Sequence, residues 1–134
     1  MKKALLAMAV VAMILVGCSK DDVQLNIYEY QIADAEWTPW IDQLYYVKLE
    51  MPQITQDVID HGLVQVSRVD AQGGSVYYAP LPSIITDTDD NGNPLSTLID
   101  YDYSVGEVCI YVTRSDLSIA NRPGDYSFRV TITR

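Results

Sequence analysis

Residues 122–133 read Arg-Pro-Gly-Asp-Tyr-Ser-Phe-Arg-Val-Thr-Ile-Thr. Behind the Pro-Gly-Asp turn, Tyr126, Phe128, Val130 and Ile132 alternate with Ser127, Arg129, Thr131 and Thr133, so an extended chain would be apolar on one side and polar on the other. That is a strand with one face in a core, and it sets the period to look for elsewhere. Tyr45, Val47, Leu49 and Met51 alternate with Tyr46, Lys48 and Glu50, and Leu95, Thr97, Ile99, Tyr101 and Tyr103 with Ser96, Leu98, Asp100 and Asp102. Leu25, Ile27, Tyr28 and Tyr30 mark a further β-rich stretch over 24–32.

Turn chemistry divides these runs. Leu63 to Val69 and Ser75 to Ala79 flank Ala71-Gln72-Gly73-Gly74, where two glycines supply the positive backbone angles of a hairpin. Gly106 turns the 95–103 run into Val108, Ile110 and Val112. One helical signal stands out: Thr55 as cap, Asp57 in the first turn, Ile54 and Ile59 at staple spacing and Gly62 at the end predict a turn or two near Gln56 to Asp60. About seven short strands at this spacing predict an all-β fold, an antiparallel immunoglobulin-like β-sandwich with one short helical turn.

The start of the chain has a different character. Met1-Lys2-Lys3 is cationic, Ala4 to Val16 is apolar without interruption, and Gly17-Cys18 then meets Lys20-Asp21-Asp22. The apolar run is shorter than the roughly 20 residues that span a bilayer, and reads as a cleaved signal peptide. The expected organisation is signal peptide over 1–17, lipidated tether over 18–23 and β-sandwich over 24–134. With Lys2 and Lys3 gone, seven cations face 18 acids and the net charge of −9 becomes −11. So acidic a chain is a poor match for nucleic acid, whose recognition rests on a basic surface.

Leu15-Val16-Gly17-Cys18 resembles the lipobox of bacterial lipoproteins, and Ser19-Lys20-Asp21-Asp22 resembles the charged tether of surface-exposed lipoproteins of the Bacteroidota type. The resemblance implies a diacylglyceryl group on Cys18, palmitate-type acylation, attachment to the outer membrane and a domain that faces outward. Several acyl chains, at about 0.8 kcal/mol per buried methylene, make such an anchor effectively permanent. Gly124-Asp125-Tyr126-Ser127-Phe128 is similar to the Gly-x-Tyr-x-Cys stretch of immunoglobulin-like domains, with Phe128 where the cysteine would stand. As a whole, the part after the signal looks like the small immunoglobulin-like lipoproteins of the same type, a resemblance that implies a fold and a location and no activity.

Chemistry-bearing residues are few. His61 is the only histidine, which excludes a multi-histidine zinc site and requires any Ser-His-Asp arrangement to pass through it. Cys109, beside Glu107 and Tyr111, reads as an inert, half-buried thiol. Asp87, Asp89, Asn91 and Gly92 have the first-half spacing of a calcium loop, but Leu98 stands where a bidentate glutamate is needed, and Asn91-Gly92 is a common turn. The metal reading is therefore a weak one and no cofactor is expected. Ten tyrosines and two tryptophans against one phenylalanine are the more suggestive feature. Trp37 and Trp40 lie in the connection Ala33 to Trp40, where periodicity assigns neither ring to the core, while one ring of each pair Tyr45-Tyr46 and Tyr77-Tyr78 must face outward. At least one of the two tryptophans is expected to fold over the end of the sandwich as a lid.

Trp37, Trp40, Tyr46 and Tyr78 are the candidate ligand-binding residues. The leading expectation is a lipid-anchored, non-enzymatic binding or assembly module whose partners are the membrane and an envelope protein. The alternative is a small glycan-binding lipoprotein using Trp37, Trp40 and exposed tyrosines. An enzyme would need carboxylates gathered around His61.

Overall fold

The computed structural model describes residues 23–134 and, before them, only the two-residue strands Met8–Ala9 and Met13–Ile14. Cys18, the rest of the expected signal peptide and residues 19–22 of the tether lie outside the described residues. From Gln24 onward the strands are β1 (Gln24–Ile32), β2 (Thr38–Trp40), β3 (Leu44–Glu50), β4 (Leu63–Gln72), β5 (Ser75–Pro80), β6 (Ser83–Thr88), β7 (Pro94–Ser104), β8 (Glu107–Arg114) and β9 (Tyr126–Thr133), with one α-helix, α1 (Gln56–His61), and a single 3-10 turn at Asp34–Glu36. All pairings are antiparallel. One sheet has the order β1-β9-β4-β5, with Met8–Ala9 and Met13–Ile14 on the outer side of β1, and the other has the order β2-β3-β8-β7-β6.

The alternation of residues 126–133 places β9 in the middle of the first sheet, with Phe128, Val130 and Ile132 buried against the second. Val108, Ile110 and Val112 of β8 face them from the middle of the other sheet. Fully burying one such side chain contributes about 1.5–3 kcal/mol. Tyr45, Val47 and Leu49 of β3 and Val64 and Val66 of β4 complete the filling, so the inward residues of both sheets form one core. The chain is thus an all-β antiparallel sandwich, as its periodicity predicts. It shares this architecture with immunoglobulin-like domains, while its own strand order sets the first strand beside the last rather than beside the second.

Two strands go beyond the predicted seven. β2 is three residues long with Pro39 at its centre, a residue that an edge strand tolerates because one side of its ladder is free. In β6, Ile84 and Ile85 are neighbours rather than an alternating pair and Asp87 follows closely, so period alone does not reveal a strand. The two hairpins form as expected, with Gly73 and Gly74 at φ 59° and 82° in the turn between β4 and β5. Thr55 accepts a hydrogen bond from the Val58 amide at 3.3 Å and caps α1. Gly62 ends the helix for a different reason from the one its position suggests. Its φ is −115°, and what demands glycine is space: a Cβ there would lie 2.5 Å from the Thr133 carbonyl oxygen.

The sandwich has two distinct ends. At the base, Gln24 and Arg134 exchange backbone hydrogen bonds of 2.8 and 3.0 Å. There α1 packs beside Thr133, and Met51 and Ile54 bond across to Gly106. At the top, Ile32 is paired with Tyr126 and Leu44 with Thr113. Eight residues of β9 at about 3.3 Å each separate base from top by roughly 25 Å.

Candidate binding surface

The top of the sandwich is closed by Trp37. Only 1% of its surface is exposed. The ring stands edge-on to Tyr126 and Phe128, with centroids 6.0 and 6.2 Å away, and its Nε1 donates to the Gly124 carbonyl at 2.9 Å. A reciprocal clasp holds the two chain segments together. The Gly124 amide donates to the Asp34 carboxylate at 2.8 Å and the Asp34 amide donates to the Asp125 carboxylate at 2.7 Å. Arg122 donates from Nε to the Asp34 carbonyl at 3.0 Å and from Nη2 to the Trp37 carbonyl, and its guanidinium lies 5.4 Å from the Tyr45 ring centroid. Burial raises the Tyr126 phenol above the usual tyrosine range. Trp37 is therefore the lid, and it presents no face to a ligand, which removes it from the candidate platform.

Trp40 goes the other way, with 48% of its surface exposed. Residue parity in β3 puts Tyr45, Val47 and Leu49 inward and leaves Leu44, Tyr46 and Lys48 on the outer face. Trp40 is paired with Leu44 and so shares that face. Its ring is 6.0 Å from Tyr46 in an edge-to-face arrangement and 6.0 Å from Tyr111, tilted by 33°. Tyr111 was not among the candidates read from the sequence. Its only signal was its outward parity in β8, and its partnership with Tyr46 needs the β3–β8 register, which no local pattern supplies.

The registers extend this corner across the whole sheet. Trp40, Leu44, Thr113, Leu98 and Ile84 are successive partners on β2, β3, β8, β7 and β6, an uncharged row about 19 Å long at the usual strand spacing. Ile84 and Leu98 are exposed. The next row toward the base holds Tyr46, Tyr111 and Asp100, and the rows below it are charged: Lys48, Cys109 and Asp102, then Glu50, Glu107 and Ser104. Tyr111 donates its hydroxyl to the Asp102 carboxylate at 3.0 Å, and Lys48 is paired with Glu107 at 3.1 Å. Burial first, and then the hydrogen bond to Asp102, push the Tyr111 phenol far above its ordinary range. Burial likewise pushes the Cys109 thiol up, which makes it a poor nucleophile.

The turn between β2 and β3 belongs to this surface. Gln43 donates to the Trp40 carbonyl at 3.2 Å, and the two central residues, Ile41 and Asp42, have φ of 48° and 54°. Such a turn favours Asn-Gly, and a β-branched residue in the left-handed region is an outlier. Ile41 is nevertheless 63% exposed, so the core does not require it there.

The remaining candidates stand apart. Tyr78 is on the outer face of the other sheet, where the Arg129 guanidinium sits 3.9 Å from its ring centroid, donates to its hydroxyl at 2.7 Å and also pairs with Glu29 at 2.7 Å. In the 87–93 loop, Asp89 accepts hydrogen bonds from the Asn91 and Asn93 amides at 2.9 and 2.8 Å and from the Asn93 side chain. These bonds to Asn93 and Asn91 lower the Asp89 pKa. Asp87 accepts from the Thr88 amide, so both aspartates serve their own backbone, and no group of three ligating side chains occurs among the described residues. His61 lies at the end of α1 near the base, exposed, with Nδ1 3.1 Å from the Asp57 carboxylate. A depression of about 320 Å³ near Gln31 has Glu36 and Asp125 in its lining, and both carboxylates are already taken up by backbone amides of the clasp. The sequence candidates thus divide: Trp40 and Tyr46 converge with Tyr111, Trp37 is core, and Tyr78 is on the opposite face. Comparison with protein-family models, with curated proteins and with solved structures finds no match for the chain.

Proposed function

We propose that the chain is a lipid-anchored, non-enzymatic module of the cell envelope, of the Bacteroidota surface-lipoprotein kind, that binds or assembles with a partner through the outer face of its five-stranded sheet. The observation that carries this reading is the row from Trp40 to Ile84 with the Tyr46–Tyr111 corner, because core packing does not explain leaving those side chains at the surface and contiguous exposed apolar patches mark interaction sites. The direction of the fold agrees with it. A tether that enters at Gln24 reaches the base, whereas Trp40 and Leu44 are at the top, so an anchor on Cys18 would hold the row at the end away from the membrane. No helix among the described residues is long and apolar enough to cross a membrane.

Two measurements test the two halves. Cys18→Ala is expected to abolish labelled palmitate incorporation and release a folded protein from the membrane fraction; unchanged labelling would sink the anchor. A photo-crosslinking residue at position 98 is expected to give adducts in intact cells, while one at position 131, on the outer face of the other sheet, gives none. Adducts of equal yield from both positions would remove the five-stranded face as the binding surface.

A further inference from the structure

The uncharged row is bordered by carboxylates. Directly toward the base from Leu98 come Asp100 and Asp102 on the same face of β7, joined there by Glu107 and Glu50, and Asp42 follows Ile41 in the turn at the other edge. The one cation in these rows, Lys48, is tied to Glu107. An acidic rim of this kind repels an anionic ligand, and it would set carboxylate against carboxylate if a second copy of a chain with net charge −9 approached through the same face. Aromatic faces attract cations as well as apolar groups, most strongly at tryptophan, and here Trp40 is half exposed with Tyr46 and Tyr111 beside it. The turn adds a separate argument. Ile41 holds a left-handed conformation that a β-branched residue disfavours, so exposed apolar bulk is retained at the turn against local preference, with the carboxylate of Asp42, a residue type that tolerates this conformation, beside it.

Resting on the binding face proposed above, we infer that its occupant is a basic, amphipathic segment of a partner protein, which lays apolar side chains along Leu98 and Ile84, places a lysine or arginine against Trp40 and Tyr111, and sets further cations over Asp100 and Asp102. The apolar contacts hold the segment, and the acids steer and orient it.

The test is calorimetric titration of the full-length chain with three probes: a synthetic peptide alternating lysine and leucine, its glutamate-leucine counterpart, and a neutral chito-hexaose. The basic peptide is expected to bind saturably. Its affinity should fall about tenfold in Trp40→Ala, the loss usual for a central aromatic contact. It should also fall severalfold in Asp100→Asn/Asp102→Asn and with added salt. Circular dichroism confirms that each variant is folded. Binding of the acidic peptide as tight as the basic one, or basic-peptide binding unaffected by Trp40→Ala, overturns the inference. Chito-hexaose binding that Trp40→Ala abolishes, without basic-peptide binding, overturns it in favour of a glycan occupant and leaves the face intact. Dimerisation of the parent that Leu98→Glu dissolves would make a second copy the occupant and overturn it too. No binding of any probe also counts against the inference, and position 98 crosslinking then reports separately on the face.

Discussion

Trp37 and Trp40 are three residues apart in one connection, yet the first is 1% exposed and the second 48%. The difference lies in what meets each ring. Trp37 is met by a segment 87 residues away, where Gly124 offers a carbonyl, Tyr126 and Phe128 offer ring edges and Arg122 ties down the backbone. Trp40 is met only by neighbours on an outer sheet face, Tyr46 and Tyr111, which leave half of it open. One ring is structure and the other is surface, and their substitutions should separate stability from binding.

The largest expected effect is in Trp37→Ala, which removes the top of the core and should cost about 3–5 kcal/mol by urea unfolding. A loss as small as that of Trp40→Ala would end the distinction. Arg122→Ala should cost less, about 1–3 kcal/mol, because it removes donors to two carbonyls and the cation over Tyr45. Its signature should be local: faster amide exchange at Gly124 and Asp34 with little change around Trp40. Ile41→Asn/Asp42→Gly should work in the opposite direction, stabilising by about 1 kcal/mol as the turn relaxes while weakening the basic-peptide interaction. A variant that gains nothing would show that the turn carries no strain. Trp40→Ala should cost no more than about 1 kcal/mol, the scale of an exposed aromatic pair, because half of the ring is open to solvent.

The smallest effect concerns Tyr111. Folding raises its phenol pKa, by burial and then by the bond to Asp102, so its stabilising contribution is complete below about pH 10 and is lost as pH rises through the folded value. Tyr111→Phe lacks that titration. The unfolding free energy of the parent should therefore hold level with the variant up to about pH 10 and fall relative to it above that, and a gap that stays constant there would show that the hydroxyl feels no such environment.

How much of this was legible follows from how local each signal is. The alternation of 126–133, the Gly73-Gly74 hairpin and the Thr55 cap are decided within a few residues, and the structure has all three. Which tryptophan is buried depends on the 122–126 segment folding back across most of the chain, so a pattern within Ala33 to Trp40 cannot choose between them. Tyr111 was illegible because an outward tyrosine means little until the register places it beside Tyr46 and Trp40. The glycine at position 62 shows the same limit. Its place was readable from the helix end, but the carbonyl of Thr133 that forbids a side chain there was not.

The hydrogen-bonded pair Gln24 and Arg134 makes the sandwich nearly circular in its connectivity. A short flexible link from Arg134 back to Gln24 would bridge two residues that already touch, and the chain could then be opened at Gly73-Gly74, in a turn where a glycine Cβ would meet nothing within 4 Å. Such a permutant, made from residues 24–134, would begin with Ser75 at an edge strand and keep both the Trp37 clasp and the Trp40 row uninterrupted. The order in which the strands are synthesised would change while every pairing among β1 to β9 stayed the same.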